Sequence, residues 1–282
     1  MPLVVIMDLN LEKIKWIATD IDGTLKPNNA EYIESERQQF LKYVQAGAPI
    51  GIITGRPVHG ALYFAKIYGI EKAPLVACNG AVVYHAGKFI SRRPLNAYPL
   101  LSYLEEADKL GASTLINVQD REFCYRETPW IKQVRKDRDP FPLLPANFFD
   151  AQGQAIEPVY KLTINGQASA AMGEYLQKVK RLFSAAYEVV VYGQMGLEIT
   201  AKGVNKASGL VELAEYLKID PAAVAAIGDN ENDVQMLQTA GVGVAVANAF
   251  PAAKKVADYV CTQAATAGVN EFLQLVMQER EA

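Results

Sequence analysis

The stretch Ile14-Lys15-Trp16-Ile17-Ala18-Thr19-Asp20-Ile21-Asp22-Gly23-Thr24 decides the fold. Its apolar first half reads as a buried strand, and the strand runs into an acidic glycine turn. Residues two apart on a strand point the same way, so Asp20 and Asp22 converge at the strand's carboxyl end. Two carboxylates there repel each other and lose hydration unless a proton or cation compensates them. A hard cation such as Mg²⁺, which takes oxygen ligands, suits that need. Taken alone, the motif also fits a plain Asp-Gly turn after a strand.

Three further pieces share this layout. Ala48-Pro49-Ile50-Gly51-Ile52-Ile53 reads as a second strand and delivers Thr54-Gly55-Arg56-Pro57. A hydroxyl and a backbone N–H at a strand end, just before a helix, suit a phosphate oxygen, although Thr54 also fits a simple N-cap. Val224-Ala225-Ala226-Ile227 is a third strand and leads to Gly228-Asp229-Asn230-Glu231-Asn232-Asp233. Asp229 there reads as a metal ligand, while Asp233 also fits an acidic group favoured by a helix dipole. Lys206 opens the helix after Gly203-Val204-Asn205; a lone lysine is ordinarily a solvated charge.

In this order the four pieces resemble the haloacid dehalogenase superfamily of phosphotransferases. Asp20 with Asp22 matches its first motif, Thr54 its second, Lys206 its third, and Asp229 with Asn232 and Asp233 its fourth. Cys78-Asn79-Gly80-Ala81, Leu197-Glu198-Ile199, Val246-Ala247-Asn248-Ala249 and Ala257-Asp258-Tyr259-Val260 narrow the resemblance to the Cof-like phosphatases. It spans nearly the whole chain, excepting about a dozen N-terminal residues and the middle. Val246-Ala247 departs from the Met-Gly common in such proteins.

The resemblance implies a Mg²⁺-dependent phosphatase acting on a small phosphorylated metabolite, such as a sugar phosphate or a phosphorylated cofactor. Asp20 would attack phosphorus and form an aspartyl-phosphate, and Asp22 would act as general acid, then general base. Mg²⁺ would be held by Asp20, the backbone carbonyl of Asp22, and Asp229, with Asp233 holding its waters. Thr54, Gly55, Lys206 and Asn232 would bind the phosphoryl group, and Asn79 would face the substrate. Two alternatives are a phosphomutase of the phosphomannomutase-like type and a non-catalytic binding protein on the same fold.

The rest of the chain is consistent with this. Half of its 282 residues are apolar and the net charge is −3, with no basic stripe to meet a nucleic acid. Cys78, Cys124 and Cys261 lie far apart without metal-ligand spacing, which reads as reduced buried thiols. Two histidines leave no basis for a histidine-built zinc site. No apolar run reaches membrane-spanning length and residues 1–8 lack a basic signal-peptide start, so a cytoplasmic protein is expected.

Strand and helix patterns alternate in both outer thirds, which predicts an α/β fold with a doubly wound parallel sheet. Its ligands would bind beyond the carboxyl ends of the strands. The middle reads instead as an α+β module of two helices on a mostly antiparallel sheet. The resemblance makes it a substrate-selecting cap inserted in the core: core 1–83, cap 84–193, core 194–282, with hinges near Val83 and Gly193. Between the cap's halves, 128–158 reads as a long loop whose Lys132, Arg135 and Arg138 face either the substrate or solvent.

Overall fold

The computed structural model describes residues 9–137 and 141–281. The chain first lays down β1 (Trp16–Thr19), α1 (Glu34–Gln45), β2 (Ile50–Ile53), α2 (Val58–Ile67), β3 (Leu75–Ala77), β4 (Val82–His85) and β5 (Lys88–Arg92). It then forms a second unit from α3 (Leu101–Lys109), β6 (Ser113–Asn117), β7 (Glu122–Cys124), α4 (Pro129–Asp137), β8 (Lys161–Asn165), α5 (Ala170–Phe183), β9 (Tyr187–Tyr192) and β10 (Gly196–Ala201). It returns with α6 (Lys206–Leu217), β11 (Val224–Gly228), α7 (Val234–Thr239), β12 (Val242–Ala245), α8 (Pro251–Val256), β13 (Tyr259–Val260) and α9 (Ala265–Glu281).

The first sheet runs β13-β12-β11-β1-β2-β3-β4-β5. Its first six strands are parallel, and β4 pairs antiparallel with both β3 and β5. β1, β2 and β11 are buried at every position, as expected of parallel strands covered by helices on both faces. The chain leaves β1 towards β2 and returns on its other side as β11. That reversal is the topological switch point, where a ligand crevice opens at the carboxyl ends of the strands.

The second sheet, β7-β6-β8-β10-β9, is antiparallel throughout. Leu162 and Ile164 of β8 and Leu197 and Ile199 of β10 join Leu104, Leu176 and Val179 of α3 and α5 in its own core. The alternate residues Lys161, Thr163 and Glu198 therefore lie on the opposite face.

The inserted α+β unit is present, but its limits differ from the expected 84 and 193. Residues 82–92 pair with the core sheet through β3, and 196–201 pair with the cap sheet. The crossings fall near Arg93 and between Ala201 and Lys206. Gly193, at φ 53°, lies in the β9–β10 hairpin instead of at a hinge. The segment 128–158 is also not all loop. Thr128 accepts a hydrogen bond from the N–H of Ile131 at 3.3 Å and Pro129 opens α4, a normal cap and first turn.

The three cysteines are buried. Among the described residues no helix is long and apolar enough to cross a membrane.

Candidate active site

Asp20 follows β1, Thr54 follows β2 and Asp229 follows β11, so adjacent parallel strands deliver them to one edge. The N–H of Asp20 still donates to Ile227 O at 3.0 Å, which extends the β1–β11 ladder into the site. Lys206 is the first residue of α6. Its Nζ lies 2.9 Å from Asp20 Oδ1 and 2.6 Å from Asp233 Oδ1. A capping box aims that helix: Asn205 Oδ1 accepts from Ser208 N at 2.9 Å, and Ser208 Oγ accepts from Asn205 N at 3.1 Å. The lysine is thus buried and ion-paired, and the solvated reading does not hold.

Asp229 Oδ1 accepts from Thr24 Oγ1 at 2.9 Å. Gly23, at φ +82°, brings the turn so close that a Cβ there would stand 2.2 Å from Asp229 Oδ2. Only glycine fits that backbone and that space. Asp233 braces the loop: its Oδ2 accepts from the N–H groups of Asp229 and Asn230, both at 3.0 Å.

One ligand oxygen from each of Asp20, Asp229 and Asp233 falls within 4.8 Å of the others. This inner cluster sets three carboxylates against the single ammonium of Lys206. Burial first, then the neighbouring carboxylates, push Asp20 well above the usual carboxylate range and Asp229 up to about 7. Such a surplus of buried negative charge, built only of oxygen donors, fits a divalent hard cation. The carboxylate of Asp22 stands apart from the cluster. It forms a two-pronged pair with Arg56, Nε to Oδ2 at 2.6 Å and Nη2 to Oδ1 at 2.7 Å. Burial alone would raise Asp22, but Arg56 outweighs it and holds the group below its ordinary value.

A second polar chain joins this edge to the cap. Asn232 Nδ2 donates to Asn79 Oδ1 at 3.1 Å, and Asn79 Nδ2 donates to Glu198 Oε2 at 2.7 Å. Glu198 also accepts from Lys161 and from the Tyr192 hydroxyl. Asn79 adopts the left-handed conformation at φ 54°, which asparagine tolerates better than most residues. A cavity of about 490 Å³ opens between the two units. Asp20, Asp22, Gly55 and Arg56 line it from the core, with Asn230 and Asn232; Leu115, Glu122, Trp130, Phe141, Lys161 and Glu198 line it from the cap.

The sequence-derived residues Asp20, Asp22, Thr54, Gly55, Asn79, Lys206, Asp229, Asn232 and Asp233 therefore gather at one strand edge. Lys132 does not join them: its side chain is 64% exposed and lies 3.6 Å from Glu127. The reason is the helix in 128–158, which buries Ile131 and leaves its neighbour Lys132 outward. The side chain of Arg135 and the whole of Arg138 lie outside the described residues. The sequence reading gave no role to Arg56, Lys161 or Tyr192. A charged residue within an alternating apolar strand, as in Lys161-Leu162-Thr163-Ile164, was the available signal.

With these positions in place, the chain can be compared with known proteins. It belongs to the haloacid dehalogenase-like hydrolases, whose family pattern matches residues 17–273, and within them it is of the Cof type. It is 30% identical over 270 residues to a phosphoglycolate phosphatase of Methanopyrus kandleri, covering 94% of this chain and 98% of that one. It is 27% identical over 273 residues to the 5-amino-6-(5-phospho-D-ribitylamino)uracil phosphatase YitU of Bacillus subtilis, covering 92% and 96%. The fold is that of a haloacid dehalogenase-like hydrolase from Bacteroides thetaiotaomicron, with a TM-score of 0.74 at 23% identity, covering 93% and 99%.

Proposed function

We propose that this protein is a Mg²⁺-dependent phosphatase that hydrolyses a small phosphomonoester through an aspartyl-phosphate on Asp20. One observation carries the reading: a buried aspartate 2.9 Å from a buried lysine, clustered with two more carboxylates and open to a cavity under a cap. Relatives named as phosphatases along nearly their full length support it.

Phosphoryl transfer asks for an aligned nucleophile and for neutralised charge on the transferring group. Lys206 holds Asp20 from one side and leaves the oxygen on the cavity side to attack. The bond from Asp20 to phosphorus forms as the bond to the leaving oxygen breaks, and that oxygen takes a proton from Asp22. Asp22 then removes a proton from water; the water oxygen attacks phosphorus, the bond from Asp20 to phosphorus breaks, and the Asp20 carboxylate is restored as inorganic phosphate leaves.

The Arg56 pair keeps Asp22 ionised in this state, so its acid role requires Arg56 to let go when substrate enters and Asp22 to take up a proton from solvent. Thr54, buried at the end of β2, and the N–H of Gly55 would hold phosphoryl oxygens. Asp20 and Asp229 with the Asp22 carbonyl would hold Mg²⁺, and Asp233 its waters; the ion would neutralise phosphoryl charge.

The test is Asp20→Asn, which keeps shape but removes the charged nucleophile and a metal ligand together. Hydrolysis of a generic aryl phosphate should fall to background. Parent-like turnover by that variant would remove Asp20 from the mechanism.

A further inference from the structure

The cavity lined by Asp20 and Asp22 is also lined by residues of the cap. There Trp130 and Phe141 stack with ring centroids 5.8 Å apart and planes 26° from parallel. Phe141 rests on Leu115, Cys124 and Ile131, a small apolar cluster of its own. That backing fixes the pair from behind, while Trp130 remains 44% exposed.

Charge in the cavity points the same way. Its lining cations, Arg56 and Lys161, are each already paired, with Asp22 and Glu198. Glu122 adds a further carboxylate, accepting from Asn117 Nδ2 at 2.6 Å. A leaving group with a second negative charge would meet the carboxylates of Glu122 and Glu198 and, apart from Arg56, which Asp22 holds until substrate enters, no uncommitted cation among the described lining residues. A neutral ring would meet an aromatic face, where stacking and C–H contacts are favourable. The volume of about 490 Å³ also lies in the range of pockets for ring-bearing ligands, well beyond what a two-carbon acid fills.

We propose that Trp130 and Phe141 form the leaving-group subsite, and that the substrate is the phosphomonoester of a ring-bearing alcohol without a second acid group. This rests on the phosphatase reading above. It sets the chain apart from its phosphoglycolate phosphatase relatives, whose named substrate is a small acid.

The test measures kcat/KM for the parent, Trp130→Ala and Trp130→Phe on two pairs of substrates. Pyridoxal 5′-phosphate and glucose 6-phosphate carry a heteroaromatic and a saturated ring; phosphoglycolate and glycerol 3-phosphate carry none. At least one ring substrate should exceed both ring-free ones by about tenfold or more, the scale of one aromatic stacking contact. Trp130→Ala should remove about that factor on the ring substrate, leave the ring-free pair within about twofold, and be largely rescued by Trp130→Phe. The ring that loses more identifies which kind of ring the subsite takes. A preference for phosphoglycolate, or equal losses on all substrates, would overturn the subsite while leaving the phosphatase reading intact. No hydrolysis of any of them would overturn both.

Discussion

Asp20 and Asp22 stand two residues apart in the chain yet occupy opposite electrostatic surroundings. Asp20 is buried against Lys206 inside a carboxylate cluster, whereas Asp22 is half-exposed and clasped by Arg56. On the proposed mechanism Asp20, fixed by Lys206, stays in place to attack, and the half-exposed Asp22 carries protons once Arg56 lets go. Asp22→Asn should therefore lose little activity on an aryl phosphate with an activated phenol leaving group. On an alkyl phosphate it should lose about 10²–10⁴-fold, the usual worth of acid–base assistance. Equal losses on the two substrates would remove Asp22 from that role. Gly23 offers a second check, because any Cβ there collides with Asp229 Oδ2. Gly23→Ala should raise the Mg²⁺ concentration needed for half-maximal activity. It should also lower Tm, with backbone strain of about 1–3 kcal/mol behind the shift; unchanged Mg²⁺ dependence would mean that Asp229 holds no metal.

Strands β8 and β10 carry the least expected chemistry. Lys161 is buried and Glu198 largely so on the cap face turned to the core. Burial alone would raise Glu198, but the charge and hydrogen bond of Lys161, with those of Tyr192 and Asn79, hold it below its usual value. A carboxyl depressed in the folded state contributes stability above its unfolded pKa and loses it as pH falls through the folded one. Acid should thus destabilise the parent more steeply than Glu198→Gln below about pH 4.5, read as Tm against pH. At neutral pH, Glu198→Ala should cost about 3–5 kcal/mol, because it strands the Lys161 charge. A Tm unchanged by that variant would show the pair to be solvated. Much at this scale was legible in the sequence. The runs ending at Thr19, Ile53 and Ile227 are apolar without alternation, as buried parallel strands are, and their turn residues and β-α spacing separate them from buried helices. Residues 84–92, the rest of the β4–β5 hairpin, were expected in the cap because a strand-forming run does not say which sheet accepts it. The partners of Glu198 were hidden for a related reason: Asn79 and Lys161 reach it through sheet register and cap docking, which local pattern does not encode. Helix α4 was readable from Thr128-Pro129, but the proline-rich run after it masked the signal.

On the scale of the whole molecule, a cation bound between core loops should tie native structure together. Saturating Mg²⁺ should raise Tm and EDTA should reverse the rise, since a ligand that binds only the folded state stabilises it. Asp229→Asn should remove most of that rise; a Mg²⁺ effect of parent size in this variant would place the metal elsewhere. The sheet order carries one more consequence, for how the protein is made. β1 lies between β2 and β11, and β11 begins 205 positions after β1 ends (224 − 19). At translation rates of about 5–20 residues per second, a ribosome needs about 10–40 seconds to supply that partner. Until β11 emerges, the β1 edge that it covers has no native partner, and an open strand edge invites mispairing. Asp20 emerges early and stays without Lys206 and Asp229, so on the proposed mechanism it remains chemically mute until synthesis is almost complete.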